Sequence, residues 1–259
     1  MSAYALVTGA SSGIGQELAR SCARRGIPVI LVARRKEALK LLARELEQTS
    51  GLQAQAVVLD LSVPGSAQLL YDRCLQEGWE VDYLMNNAGF GDYGLFEHSS
   101  PERIRQMMVL NMETLTLLTR LFGADMRRRG RGRILQVAST AAFQPGPYLA
   151  VYSATKAYVL SFSEALAEEF RGTGVTVTAL CPGATRSEFS VAASMQDSRL
   201  FHQKHLPEAR EVAEFGMRSL LSGKVLAIHG PGNALMAASV RFVPRVLVRR
   251  IARRVLGPR

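Results

Sequence analysis

The sequence predicts an α/β fold: one doubly wound parallel sheet of about seven strands, with helices on both faces, in a single domain. Three observations predict it. Short apolar runs alternate with helical segments along the whole chain. A glycine-rich loop lies between the first apolar run and the first helical segment. No Pro/Gly/Ser linker, low-complexity tract or internal repeat interrupts the alternation. With 259 residues, 47% hydrophobic and 21% charged, the chain carries enough apolar surface for one substantial core.

The first strand is expected at Ala3–Val7 and the first helix at Gln16–Arg25. Between them runs Thr8-Gly9-Ala10-Ser11-Ser12-Gly13-Ile14-Gly15. Strand, glycine loop and helix in this order are the setting of a dinucleotide site, the Rossmann-type arrangement. Gly9 permits the tight turn, Gly13 lets a pyrophosphate approach the backbone, and Gly15 allows close helix–strand packing. The phosphates then meet the positive end of the helix dipole. Ser11, Ser12 and Ile14 complete the loop as cofactor-binding candidates. The spacing is Gly-x-x-x-Gly-x-Gly.

The second strand, Pro28–Val32, is followed by Ala33-Arg34-Arg35-Lys36. A carboxylate at this point would bind both adenosine ribose hydroxyls of NAD and repel a 2′-phosphate. Ala33 stands there instead, and three cations follow. A phosphate monoester carries about −1.5 to −2 charge near neutral pH, which Arg engages bidentately. Arg34 and Arg35 therefore point to NADP(H). The third strand, Ala56–Leu59, ends at Asp60-Leu61, where Asp60 would face the adenine. The fourth, Val81–Met85, runs into Asn86-Asn87-Ala88-Gly89, with Asn87 on the adenosine-side floor. The fifth, Arg133–Ala138, ends at Ser139. The sixth, Val175–Leu180, leads to Pro182-Gly183, and a seventh fits at Lys224–His229.

Tyr152-Ser153-Ala154-Thr155-Lys156 sets a phenol and an ammonium one helical turn apart. A free tyrosine titrates near ~10, so at neutral pH it is a poor acid and a worse base. A nearby cation stabilises the phenolate and lowers that value. The pair suits an oxygen that must gain or lose a proton. Asn111 falls inside a long helix, where Asn has poor propensity, and that misfit favours a functional role.

Glycine loop and Tyr-x-x-x-Lys together resemble the short-chain dehydrogenase/reductase family, over Ala3 to about Gly230. The resemblance implies hydride transfer between a nicotinamide and a carbonyl/alcohol carbon, with the protein handling the proton on the oxygen. It implies that Tyr152 is general acid in reduction and general base in oxidation. Lys156 would lower the Tyr152 pKa and bind the nicotinamide ribose hydroxyls. Ser139 would hydrogen-bond the substrate oxygen, and Asn111 would hold a water linking Lys156 to solvent. Ala88, Gly89, Pro182 and Gly183 would line the cofactor. Ser187 stands where the family often has threonine, keeping the hydroxyl for the carboxamide, with Thr185 beside it. Glu188–Glu211 corresponds to the variable lid, and Phe143, Pro145, Pro147, Tyr148 and Leu149 would form the facing wall. The family also implies a homodimer or homotetramer through helices near Arg103–Arg129 and Tyr152–Arg171.

The net charge of +10 is lopsided. Arg127, Arg128, Arg129, Arg131 and Arg133 form one cluster. The tail carries another, and no acidic residue follows Glu214. No nucleic-acid-binding motif or aromatic interleaving accompanies either tract, so nucleic acid is not the expected partner. No run reaches the roughly 18 apolar residues of a spanning helix, and no signal peptide is read. Cys22, Cys74 and Cys181 read as reduced thiols of a cytoplasmic protein. No Cys/His spacing suggests a metal, and His202 and His205 read as surface loop residues. The expected division is a catalytic domain over 1–239, lid 188–211 included, and a basic amphipathic tail over 240–259. In the tail, Val243, Leu247, Ile251 and Val255 recur every fourth residue, and Pro244 suits a first helical turn. Two partners stay open for Val240–Leu256: an inner membrane surface or a neighbouring subunit.

The expected activity is NADP(H)-dependent reduction of a ketone or aldehyde. One alternative is reduction of 3-oxoacyl thioesters near a membrane, because Tyr152–Glu169 resembles the matching helix of membrane-associated ketoacyl reductases. A non-catalytic NADP-binding sensor on the same fold is the third, opposed by intact Asn111, Ser139, Tyr152 and Lys156. In calorimetric titration NADPH should bind tighter than NADH, and Arg34→Ala should narrow the gap. Equal wild-type affinities would contradict the reading of Ala33–Lys36.

Overall fold

The computed structural model describes residues 3–195, 198 and 206–258. The strands are β1 Tyr4–Thr8, β2 Val29–Ala33, β3 Ala54–Val58, β4 Val81–Asn86, β5 Gly132–Val137, β6 Val175–Cys181 and β7 Leu226–Ile228. They form one sheet in the order β3-β2-β1-β4-β5-β6-β7, with every pairing parallel. Each strand lies within two residues of its apolar run. The hydrogen-bonded ladder, not the side chains, sets the ends.

The helices in chain order are α1 Gly13–Ala23, α2 Lys36–Ser50, α3 Ser66–Gln76, α4 Pro101–Met108, α5 Leu115–Arg129, α6 Ala150–Glu169, α7 Phe189–Ala192, α8 Ala209–Leu221, α9 Pro231–Ser239 and α10 Arg245–Leu256. Alternation along β1 feeds two core layers. Ala5 and Val7 pack with Leu18 of α1, Leu42 of α2 and Met217 of α8. Tyr4 and Leu6 pack with Leu70 of α3 and with Leu118 and Phe122 of α5. The sheet is thus buried on both faces, as parallel sheets require. In α2 the spacing of Leu39, Leu42, Ala43 and Leu46 gives one buried stripe, and left-handed Gly51 ends the helix.

Two stretches depart from the sequence reading. Asn111 was expected within one regular helix, but a π-helical turn, Val109–Thr114, joins α4 to α5. The wider turn brings Asn111 and Thr114 to the buried side. The tail was expected as one helix from Val240 with Pro244 in its first turn. Instead α9 ends at Ser239, and Pro244, with ψ 132°, stands outside α10 as its N-cap. The ring of Pro244 also drives Val243 away from the helical region.

The strand order reverses between β1 and β4, so the crevice beyond their carboxyl ends is the ligand position of such sheets. Thr8 stitches the two ends together. Its hydroxyl accepts from the N–H of Asn87 (3.0 Å) and Ala88 (2.9 Å) and donates to the Met85 carbonyl (3.3 Å). Thr8→Val should cost about 1–3 kcal/mol, because the Ala88 amide loses its acceptor and that of Asn87 keeps only the Met85 carbonyl. A urea unfolding midpoint equal to wild type would contradict this role.

Candidate active site

A cavity of about 870 Å³ opens at the carboxyl ends of the strands. It runs from the glycine loop past Tyr152 to α10. Gly9 has φ +67°, and a Cβ there would sit 2.8 Å from Asn87 Nδ2. A Cβ on Gly15 would fall 2.4 Å from both Asn87 Nδ2 and the Gly9 carbonyl oxygen. Side chains at either position would fill the cradle, so the glycines answer a packing need. Asn87 does more than floor the site: its amide donates to the carbonyls of Thr8 (2.9 Å) and Gly9 (3.4 Å), fixing the loop. No side chain caps the start of α1, and Ser11, Ser12, Gly13 and Ile14 all line the cavity. The helix start thus presents N–H donors to an anion.

On the adenosine side, Ala33 ends β2, and Arg34, Arg35, Asp60 and Leu61 line the cavity. Arg35 donates to the Ser11 hydroxyl (3.2 Å) and carbonyl (2.9 Å) and pairs with Glu188 at 2.8 Å. Arg34 lies 3.8 Å from Asp60 and is largely exposed. The Asp60 carboxyl is held below its ordinary value. Burial raises it, but hydrogen bonds from Ser62 and the Arg34 charge together outweigh burial. Leu61 is tied down by Thr114 of the π turn, whose hydroxyl donates to its carbonyl at 2.8 Å.

Tyr152 and Lys156 both lie on the buried face of α6. The Lys156 ammonium donates to the Val137 carbonyl at 2.7 Å and sits 5.7 Å from the Tyr152 ring centroid. The Ser139 hydroxyl lines the same cavity as the phenol and donates to the Pro182 carbonyl at 3.5 Å. Ser139 lies two residues past β5, opening a 3-10 turn and accepting from the Ala141 N–H at 3.1 Å. Asn111 is fully buried. Its amide donates to the Phe90 carbonyl (3.0 Å) and Thr155 hydroxyl (3.1 Å), and its Oδ1 accepts from the Phe90 N–H (3.2 Å). The side chain therefore clamps the strand-end loop to α6. A Cβ on Gly89 would meet Asn111 Oδ1 at 3.0 Å and Lys156 Nζ at 3.4 Å.

One expectation is corrected here. Lys156 was expected to draw the Tyr152 pKa down, but burial pushes it up to about 12, by more than the nearby Ser139 hydroxyl lowers it. Burial also lowers Lys156 to about 8. Burial favours the uncharged form of each group, so the phenol keeps its proton.

On the nicotinamide side, Pro182, Gly183, Thr185 and Ser187 line the cavity after β6. A Cβ on Gly183 would sit 2.5 Å from Asn233 Nδ2. Thr185 is buried with its hydroxyl on the Gly183 carbonyl at 3.0 Å. Ser187 accepts from the Phe189 N–H at 3.3 Å, starting α7, and its Cβ would meet a Cβ on Gly13 at 3.1 Å. Glycine loop and nicotinamide loop thus face each other across the cleft. These residues fit an NADP(H) molecule along the whole cleft: glycine cradle, cations beside the second strand, and lysine beneath.

The substrate end departs from expectation. Of the proposed wall only Leu149 lines the cavity. Phe143 packs beneath it in the core, and Tyr148, at φ +67°, sets its ring 5.8 Å from that of Tyr93. From the lid, Ala192 and Met195 line the cavity, while Val191 is exposed. Leu200, Phe201, His202 and His205 lie outside the described residues. The Phe189 ring stands 5.3 Å from that of Tyr152. The remaining wall is the tail, with Val248, Ile251, Ala252 and Val255 of α10 turned to the cavity. Val248 and Ala252 are buried against the chain's own site, a partner the sequence reading did not include. Thr8, Thr155 and Asn233 were also missed. Thr8 and Thr155 lie inside the two quoted motifs, but their roles show only in hydrogen bonds to distant segments, and Asn233 shows itself only by its approach to Gly183.

Comparison with known proteins agrees with this geometry. The family model for short chain dehydrogenase matches residues 3–198. The very-long-chain 3-oxoacyl-CoA reductase of Anas platyrhynchos is 33% identical over 229 residues, covering 86% of this chain and 70% of that protein. The human 17-beta-hydroxysteroid dehydrogenase type 3 is 32% identical over 186 residues, covering 71% of this chain but 59% of its own length. A solved short-chain dehydrogenase from Sphingobium yanoikuyae, in complex with NADPH, superposes with a TM-score of 0.83. It is 31% identical and covers 93% of this chain and 94% of that one.

Lys156 should titrate near 8, below an ordinary lysine. The native state then binds fewer protons than the unfolded chain between about 8 and ~10.4, so this group's contribution to stability rises with pH across that window. NMR titration of lysine labelled at its side chain checks the value. An ordinary lysine titration at Lys156 would contradict the buried geometry.

Proposed function

The chain belongs to the short-chain dehydrogenase family, and on that premise we propose that it is an NADP(H)-dependent oxidoreductase reducing the carbonyl of a large apolar ketone or aldehyde. The observation that carries this reading is the buried Tyr152 phenol sharing one cavity with the Ser139 hydroxyl, with the Lys156 ammonium 5.7 Å from the phenol ring. NADPH in the solved relative supports the cofactor, as do Arg34 and Arg35 in the absence of an acid at Ala33. When bound, NADPH supplies the hydride for the carbonyl carbon.

The chain's own residues handle the oxygen. Ser139 donates a hydrogen bond to it and so orients the carbonyl. Tyr152 gives up its proton as negative charge grows on the oxygen. Protonated Lys156 stabilises the phenolate left behind, which the lowered dielectric around the pair strengthens. Asn111 and Thr155 hold α6 against the Phe90 loop, fixing the distance across which the proton moves. Phe189 covers the phenol ring and keeps water from it.

The walls beyond Tyr152 are apolar: Leu149, Phe189, Met195 and the α10 side chains. They suit a hydrocarbon body rather than a sugar or a charged acid. The 3-oxoacyl thioester reading is favoured by the relative from Anas platyrhynchos, named for such a substrate. A sensor without catalysis accounts less well for the intact Asn111, Ser139, Tyr152 and Lys156.

Tyr152→Phe should lower turnover by on the order of 10²–10⁴ while NADPH affinity stays near wild type, since the phenol supplies a proton and holds no phosphate. Steady-state kinetics with calorimetry measures both. Unchanged turnover would remove Tyr152 from the chemistry.

A further inference from the structure

The two arginine clusters of the sequence have different fates. In the first, Arg129 and Arg131 pair with Asp82, at 3.0 and 2.6 Å, and both also reach Glu80. In the second, Arg241, Arg245, Arg249, Arg250, Arg253 and Arg254 are all exposed. Among the described residues none of these six side chains has a hydrogen-bond or ion-pair partner. The unbalanced charge of the protein is therefore concentrated on its last two dozen residues.

The same segment leaves apolar side chains in water. With 3.6 residues per turn, Val248, Ala252 and Leu256 share the face of α10 that closes the cavity. The Leu256 carbonyl accepts from the Tyr93 hydroxyl at 2.7 Å and the Ser198 hydroxyl at 3.2 Å, which anchors this end. Leu247, Ile251 and Val255 form the next row, 46%, 56% and 46% exposed. Ile251 and Val255 also line the cavity, so this row stands at its rim. Phe242, just before α10, is 87% exposed, and Leu235 of α9 is 72% exposed. Arg250 and Arg254 flank the rim row on the side away from the cavity. An exposed apolar row bordered by cations matches an anionic lipid surface, where hydrocarbon takes the row and headgroups take the arginines. Among the described residues no helix is long and apolar enough to cross a membrane, so such a contact lies in the surface plane.

We propose that the outer face of α10, with Phe242, docks this protein on the surface of an anionic lipid bilayer, setting the rim of the cavity against the lipid. An apolar substrate would then pass from bilayer to cavity without crossing water. Docking needs only the helix, whereas this delivery rests on the reductase reading.

The test is co-sedimentation of the full chain, with NADPH, on two vesicle types: phosphatidylcholine alone, and phosphatidylcholine mixed with phosphatidylglycerol. The protein should pellet with the mixed vesicles only, and raised salt should release it. Arg250→Glu with Arg254→Glu should weaken that partitioning by roughly tenfold or more, since each cation near such a surface contributes a severalfold factor. Phe242→Ser with Leu247→Ser should weaken it as well. These four side chains do not line the cavity, so NADPH affinity, measured on the same preparations, should match wild type and report an intact fold. No pelleting with either vesicle type, equal pelleting with both, or pelleting indifferent to both double variants would overturn the proposal. A dimer dispersed by Phe242→Ser with Leu247→Ser, without vesicle binding, would assign the face to a second copy and equally overturn it. Vesicle binding by Tyr152→Phe separates the two readings, because docking does not pass through the phenol.

Discussion

An ammonium buried under a phenol is the constraint around which this site is built. Lys156 is 4% exposed, and taking a charge out of water costs several kcal/mol unless fixed partners replace the water. The Val137 carbonyl is one such partner. The lack of a side chain at Gly89 leaves room for the ammonium beside the Asn111 amide. The π turn brings Asn111 inward, and Asn111 in turn locks the Phe90 loop and Thr155. The same burial raises Tyr152 and lowers Lys156. The phenol keeps its proton until a strongly basic oxygen forms beside it, and Lys156, still charged below about 8, is placed to steady the phenolate that results.

The phosphate end rests on a simpler constraint. Thr8 and Asn87 tie β1 to β4 where the strand order reverses, and Gly9 and Gly15 let them meet. Arg35 lies over Ser11 and reaches Glu188, so cofactor loop and lid start share one side chain. Arg103 works alike at the substrate end. It stacks over Phe90, pairs with Asp92 at 2.7 Å and donates to the Ala192 carbonyl at 2.8 Å. Both ends of the cleft are thereby connected to the lid segment.

Much of this was legible in the residues, for a physical reason. Glycine at a positive φ, a cation where an acid would otherwise stand, and Tyr and Lys one turn apart are local demands, visible at fixed spacing. The parallel, doubly wound sheet followed from alternating strands and helices. Residues acting across long separations were not legible. Thr8 and Thr155 are unexceptional in a strand and a helix until their partners, dozens of residues away, are in position. The π turn has no marker beyond an Asn with poor helix propensity. The tail carried a clear amphipathic period, but a period says that one face is covered and not by what. Val248 and Ala252 turn out to cover the chain's own cavity. The hydrophobic wall expected between Ser139 and Tyr152 failed likewise, because Phe143 satisfied the core instead.

The proposed role of this cleft is reduction of an apolar carbonyl at the expense of NADPH. The most direct measurement follows NADPH oxidation across a graded series of ketones, aldehydes and 3-oxoacyl thioesters of increasing chain length. The predicted result is stoichiometric oxidation, with kcat/KM rising as the hydrocarbon lengthens until the cavity is filled. Tight NADPH binding with no oxidation by any member of the series would contradict it.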